Sequence, residues 1–233
     1  MRLARDVTLA RLSPTYAQPT VLDQALQVSI ATLFCPEVSR LERGSDENER
    51  FTTREASMSA SADDLKYIID REKIRDCVAR LSRGEDRRDE KLISSCYWPD
   101  ATDDHGIFVG TFKDYLAWVV PGSPAIPVTL HTLGQSLIEL KDDKAVVETH
   151  VTSYHRIDMG SEERDLVIGG RYLDRMEQRN QEWRIAHRTM LYDWLKDFGP
   201  SVDWSQGLLG MPFLTPHSIG KARGDHSEVF FGK

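Results

Sequence analysis

Apolar residues in the first half of the recognisable pattern recur with a helical period. Those between positions 65 and 81 are spaced by three or four residues, which predicts an amphipathic helix. Ser61 or Asp63 can cap its start, because a short side-chain oxygen satisfies a free backbone N–H there. Gly84 favours a stop or a bend. A short second helix is expected before the sequence YWPDAT, and a third over residues 110–122.

The second half of the pattern has the period of strands. The strands are predicted over residues 128–140, 145–157, 164–178 and 183–195, with short turns between them. Long strands with short connections form an antiparallel meander. Helices that precede such a sheet predict an α+β fold with the helices packed on one face of a curved antiparallel sheet.

The two ends of the chain differ from this central part. Residues 21–34 could form a short helix, but residues 40–64 are polar and aperiodic, which is typical of a linker or of disorder. We therefore expect residues 1–57 to be a poorly structured N-terminal extension. Either translation begins at Met58 and the upstream part is a gene-calling artefact, or the extension is real and mobile. Residues 58–195 form the predicted domain. Residues 196–233 contain Trp, Leu and Phe, so we expect this tail to close a pocket or to contact another subunit.

Composition narrows the class of protein. The 233 residues carry a net charge of -7, which argues against nucleic acid as a partner and gives no support to an anionic membrane. No apolar run approaches the roughly 18 residues of a membrane span. Three cysteines are too few and too scattered for a disulfide framework, so a cytoplasmic location is expected. The phosphate-binding glycine motifs and the GxSxG motif are absent from the sequence.

Two residues are candidates for proton transfer. His131, in TLHTLG, lies on a predicted strand with apolar residues on both faces, which suggests a strand covered on both sides. Its imidazole titrates near neutrality and so suits proton abstraction. Asp86 is less certain, because the helical period passes through Glu85 instead. From spacing alone, Asp86 remains either a solvated carboxylate or an inward one.

Other polar residues leave alternatives open. Tyr154 and His155 point to opposite faces of one strand, and periodicity cannot choose which faces a pocket. Arg171 could form an ion pair with Asp174 or Asp193. The group TDDH, residues 102–105, is expected in a turn. No set of His, Cys, Asp and Glu has a recognised ligand spacing, so no metal is predicted.

Three segments in a fixed order carry a family resemblance. They are IDREKIRDCVARLSRGEDRRDEKLISSCYWPDA, LHTLGQ and IGGRYLDRMEQRNQEWRIAHRTMLYDW. The chain resembles the SnoaL-like proteins of the nuclear transport factor 2-like superfamily over about residues 62–195. Within that family it looks most like hexachlorocyclohexane dehydrochlorinase, and more distantly like scytalone dehydratase and bile-acid dehydratase. The resemblance implies a cone-shaped α+β barrel. It also implies an oligomer, because relatives form trimers or dimers.

The resemblance also implies an activity. A His–Asp pair of the family falls on His131 and Asp86, which implies a general base and the carboxylate that orients it. Tyr154, His155 or Tyr172 would bind the substrate. The expected protein is a lyase of the dehydratase type, or an isomerase, without cofactor. Its substrate would be a small hydrophobic molecule that could be cyclic or aromatic. A lysine of the dehydrochlorinase falls on Leu81 here, which speaks against dehydrochlorination.

A non-catalytic interpretation stays open beside this one. Members of the superfamily include binding and assembly subunits, such as the small subunit of aromatic-ring dioxygenases. In that case His131 and Asp86 would form a packed structural pair with no cavity beside it.

Overall fold

A computed structural model describes residues 61–232 of the chain. The predicted extension over residues 1–57 and the predicted start at Met58 lie outside this part. The helices are α1 (Ala62–Arg87), α2 (Glu90–Ser94), α3 (Phe112–Val119) and α4 (His226–Phe230). The strands are β1 (Tyr97–Asp104), β2 (Val109–Thr111), β3 (Val128–Lys141), β4 (Lys144–Asp158), β5 (Glu163–Arg179) and β6 (Glu182–Pro200).

These strands form one sheet in the order β2-β1-β6-β5-β4-β3. The predicted meander is present as β3 to β6, with every strand slightly longer than expected. Bulges in the pairing of β5 with β6 bend the sheet. The α+β fold is therefore confirmed. The sheet is open. Its meander is antiparallel as predicted, and β1 joins it parallel to β6, which makes the whole sheet mixed.

The parallel strand β1 also corrects the prediction for TDDH. Residues 102–104 belong to this strand and pair with β2 and β6 instead of forming a turn. The chain leaves β1 through β2 and α3 before it enters the meander. A parallel pair such as β1 with β6 needs a long connection between its strands. The residues next to β1 in the sequence therefore gave no indication of this pairing.

Helix α1 has a capped N-terminus and a closely packed last turn. Ser61 forms a capping box with Asp64, in which each side chain accepts a hydrogen bond from the other residue's backbone N–H. The expected stop at Gly84 is wrong, since the helix continues to Arg87. A Cβ on Gly84 would lie 2.8 Å from Cγ1 of Ile93, so glycine serves the close packing of α2. This packing places the last turn of α1 against the sheet.

The main core lies between the helices and one face of the sheet. It includes Ile74 and Leu81 of α1, Ile93 of α2, Tyr97 of β1 and Ile185 of β6, all without solvent exposure. The apolar residues at the start of α1 are exposed instead.

The outer face of the sheet is less covered than predicted. Leu130 and Leu137 of β3 and Val146 of β4 are at least half exposed. The expectation that the strand of His131 is covered on both faces is therefore wrong for the part of the chain that the structure describes.

The tail packs on the end of α1. Nε of Arg87 lies 3.2 Å from Oδ2 of Asp225, and the guanidinium of Arg83 lies over the ring of Phe231 at 4.4 Å. No helix among residues 61–232 is long and apolar enough to cross a membrane.

Candidate active site

A cavity of about 310 Å³ opens between the end of α1, α3 and the inner face of the meander. Its wall is largely apolar and aromatic, and includes Ile107, Tyr115, Trp118, Ile168, Tyr172 and Met190. A small set of polar side chains points into it, among them Glu85, His105, His131 and His155. An apolar pocket with few convergent polar groups is the usual form of a small-molecule site.

The two residues singled out for proton transfer meet at this cavity. Nδ1 of His131 lies 2.7 Å from Oδ1 of Asp86, and the backbone N–H of His131 donates to Oδ2 of the same carboxylate at 3.0 Å. Asp86 is buried on the last turn of α1, so the open question of its direction is answered: it points inward. Because Nδ1 is engaged, Nε2 is the nitrogen of His131 available to the cavity.

The surroundings of His131 act on its pKa in opposite directions. Burial of the ring disfavours its charge, but the hydrogen bond with Asp86 and the negative charges of Glu85 and Asp86 outweigh burial and raise the pKa of His131. The pair therefore stabilises the imidazolium once a proton has been taken up.

The choice between Tyr154 and His155 is settled by their positions. His155 lines the cavity, with its ring centroid 6.3 Å from that of His131. Tyr154 is not among the lining residues, and its hydroxyl donates to Asp165 at 2.7 Å. Burial, followed by the charge of His131, lowers the pKa of His155 to about 4. His155 is therefore neutral at neutral pH.

The third predicted pocket residue, Tyr172, lies on the floor of the cavity. Below its ring is Arg188, with 3.8 Å between the guanidinium carbon and the ring centroid. Arg188 forms a bidentate, fully buried ion pair with Asp174, with bonds of 2.7 and 2.8 Å. Arg171 pairs with Asp193 instead, as one of the two predicted alternatives. Arg188 was not selected from the sequence, although it lies on β6 directly opposite Asp174, where an ion pair can form.

Two further acidic side chains of the site were not selected from the sequence. Glu85 is buried beside Asp86, and its Oε1 accepts a hydrogen bond of 2.6 Å from the hydroxyl of Tyr115. Asp103 is buried at the end of β1 and is hydrogen-bonded to Nδ1 of His105. This acid–His group belongs to the TDDH sequence that was expected in a turn; Asp103 lies on β1, and His105 follows the strand where the chain turns. Among residues 61–232 no cluster of His, Cys, Asp and Glu has the arrangement of a metal site.

Comparison with known proteins agrees with this architecture. The SnoaL-like domain family matches residues 66–189, more than half of the chain, so the chain belongs to this family. A comparison with curated proteins finds no match.

Solved structures with the same fold come from several bacteria. The hexachlorocyclohexane dehydrochlorinase LinA-type3 from Novosphingobium barchaimii is 20% identical with a TM-score of 0.53, and the match covers 66% of this chain and 99% of that one. A candidate scytalone dehydratase from Novosphingobium aromaticivorans is 17% identical with a TM-score of 0.52, over 59% and 93% of the chains. The Kfla4162 protein from Kribbella flavida is 16% identical with a TM-score of 0.51, over 56% and 95%. At these identities the likeness establishes the fold alone.

Proposed function

We propose that the protein is a cofactor-independent lyase of the dehydratase type, or a related isomerase, in which His131 is the general base. The observation that carries this proposal is the Nδ1–Asp86 hydrogen bond of 2.7 Å at the wall of an apolar cavity. Nε2 of His131 removes a proton from a carbon next to a carbonyl or a leaving group. Positioned proton transfer of this kind accelerates a reaction by about 10²- to 10⁴-fold.

Asp86 orients the base and stabilises its product. Its carboxylate accepts a hydrogen bond from Nδ1–H of His131. This bond fixes the tautomer in which Nε2 carries the lone pair. The same carboxylate balances the positive charge that forms on the ring. A largely apolar wall strengthens this interaction because it keeps water away from the pair.

The substrate we propose is a small hydrophobic molecule, with cyclic and aromatic compounds included. The volume of about 310 Å³ and the aromatic side chains Tyr115, Trp118 and Tyr172 suit such a molecule. Neutral His155 can give a hydrogen bond to negative charge that develops on the substrate. Tyr154, which lies off the cavity, has no part in this proposal. Leu81 stands where the dehydrochlorinase has a lysine, and it is fully buried in the core. Because this position supplies no lysine to the cavity, elimination of water is favoured over dehydrochlorination.

The non-catalytic alternative makes a different structural demand. A purely structural pair would be packed on all sides, whereas His131 lines a cavity. This contrast supports an enzyme over a dioxygenase-type assembly subunit.

We also propose that the protein is a cytoplasmic homo-oligomer, either a trimer or a dimer. The free Cys77 and Cys96 support a cytoplasmic location. The exposed Leu137 and Val146 on the sheet support an oligomer. Sedimentation of the purified chain as a monomer would reject the oligomer.

A carbon acid that opens on loss of one proton tests the base directly. The ring of 5-nitro-1,2-benzisoxazole opens to a coloured phenolate when a base removes its only ring C–H proton beside nitrogen. We expect turnover by the wild type and a loss of about 10²-fold or more in His131→Asn, which keeps a donor near Asp86 but lacks Nε2. Tyr154→Phe is the matched control and should keep its rate. Absence of turnover by the wild type, or an equal rate in His131→Asn, would contradict the proposal.

A further inference from the structure

His105 lines the same cavity and forms a second His–Asp pair with the buried Asp103. Nδ1 of His105 is hydrogen-bonded to Oδ1 of Asp103, and the other carboxylate oxygen of Asp103 accepts a hydrogen bond of 2.7 Å from the hydroxyl of Tyr97. Asp103 is 1% exposed, so these two side chains, and not water, satisfy the hydrogen bonds of its carboxylate. As in the first pair, the nitrogen bound to the carboxylate is Nδ1, which leaves Nε2 of His105 for a ligand in the cavity.

The ring of His105 is fixed on more than one side. It stacks on Tyr115 with 5.4 Å between centroids and an interplanar angle of 15°, and it meets the edge of Tyr172 at 6.3 Å. The backbone carbonyl of His105 accepts a hydrogen bond of 2.9 Å from the hydroxyl of Tyr192. A side chain that merely fills space needs neither a buried carboxylate partner nor this degree of orientation.

We propose that His105, held by Asp103, is the general acid that protonates the leaving oxygen in the cavity that the base His131 also lines. The inference rests on the proposed function and adds a catalytic residue to it. In the elimination, Nε2 of His131 takes the proton as the C–H bond breaks, and the electron pair of that bond forms an enolate with the neighbouring carbonyl. The enolate then returns its electron pair to form the carbon–carbon double bond. The C–O bond breaks with its electron pair on oxygen, Nε2–H of His105 gives that oxygen a proton, and water leaves. Afterwards solvent removes a proton from His131 and returns one to His105.

Two other proton-bearing groups at the cavity, His155 and Tyr115, are less suited to this step. Hydroxide is a poor leaving group, so the general acid must carry a proton that it can transfer to the leaving oxygen at the working pH. Asp103 binds Nδ1 of His105 and leaves Nε2 of that ring as the atom that can pass a proton to the substrate. His155 is neutral under the same conditions, because burial lowers its pKa to about 4. The hydroxyl proton of Tyr115 is engaged with Glu85.

The test separates removal of the carbon proton from loss of water. The probe is 4-hydroxy-4-phenylbutan-2-one, an aromatic β-hydroxy ketone whose dehydration product absorbs strongly in the ultraviolet. In D2O the same sample reports, by NMR, exchange of the hydrogens on the carbon between the carbonyl and the carbinol. Exchange requires only the base, whereas dehydration requires both the base and the acid.

The informative variant is His105→Asn, whose amide N–H can still donate to Asp103 while Nε2 is lost. We expect dehydration to fall by about 10²-fold while exchange changes by only a few-fold. His131→Asn should lose both. An unchanged rate of dehydration in His105→Asn, or a parallel loss of exchange in a variant whose thermal midpoint is intact, would overturn the assignment of the acid. Failure of the proposed function looks different, since the wild type would then show neither reaction or His131→Asn would keep both.

Discussion

Asp86 binds His131 at two points, because its carboxylate accepts from ring Nδ1 at 2.7 Å and from the backbone N–H at 3.0 Å. The two residues are 45 positions apart and lie on a helix and a strand. The double contact fixes the ring relative to the strand that carries it. A histidine held in this way has one orientation and one tautomer, as a general base requires.

The charge of Asp86 should matter more than its shape. We expect Asp86→Asn to lower kcat for the benzisoxazole by about 10²- to 10⁴-fold, because the amide neither fixes the tautomer nor balances the imidazolium. Asp165→Asn removes a carboxylate of the same size that serves Tyr154 away from the cavity, and it should keep the wild-type rate. Equal rates for the two variants would show that Asp86 is structural only.

His155 should weaken the fold in acid. Because the pKa of His155 is lowered from 6.5 to about 4, the unfolded chain binds more protons than the native protein between these pH values. Stability should therefore fall as pH falls through this window, by on the order of 2 to 3 kcal/mol from this group. His155→Gln should lose correspondingly less stability in urea unfolding measured at several pH values. Parallel curves for the wild type and the variant would contradict a neutral His155.

A side chain at Gly84 should disturb both the packing of the helices and the position of Asp86. In Gly84→Ala the new Cβ would meet Ile93, so we expect a loss of about 1 to 3 kcal/mol in the free energy of unfolding and a lower kcat, because Asp86 follows two residues later. Gly220→Ala is the matched control, since nothing lies within 4 Å of its Cβ position. A stable and fully active Gly84→Ala would show that this close contact is unimportant.

Removing one partner of the buried ion pair below Tyr172 should destabilise the fold more than removing both partners. Arg188→Met leaves the carboxylate of Asp174 buried without its partner and should cost about 3 to 5 kcal/mol in urea unfolding. The double variant Arg188→Met with Asp174→Leu should recover much of that loss, because no buried charge remains. A double variant as unstable as the single one would mean that packing of Arg188, and not charge, dominates.

The fold was largely readable from the sequence, whereas the site was readable only in part. Strand alternation predicts β3 to β6 and places His131 on β3. Helical periodicity could not place Asp86, because Gly84, Glu85 and Asp86 are all buried at the end of the helix, where a single apolar face no longer tells inside from outside. Only the family resemblance pointed to Asp86.

The second pair was hidden for a related reason. His105 follows a short strand that pairs in parallel with β6, a partner about 85 residues away in sequence. Clustered Asp residues before His-Gly are typical of turns, so local sequence favoured the wrong element for Asp103, whereas the turn begins only at His105. The choice of His155 over Tyr154 likewise required the curvature of the sheet, which decides which face is concave.

The most direct test compares the pH dependence of catalysis with the titration of one ring. A general base must be unprotonated, so kcat/KM for 5-nitro-1,2-benzisoxazole should rise with pH through the pKa of His131, which Asp86 and Glu85 hold above the ordinary value of 6.5. The pKa from kinetics should coincide with that of the His131 ring measured by NMR, and both should fall together in Asp86→Asn. A rate that does not change with pH, or a kinetic pKa clearly separate from that of the ring, would contradict His131 as the base.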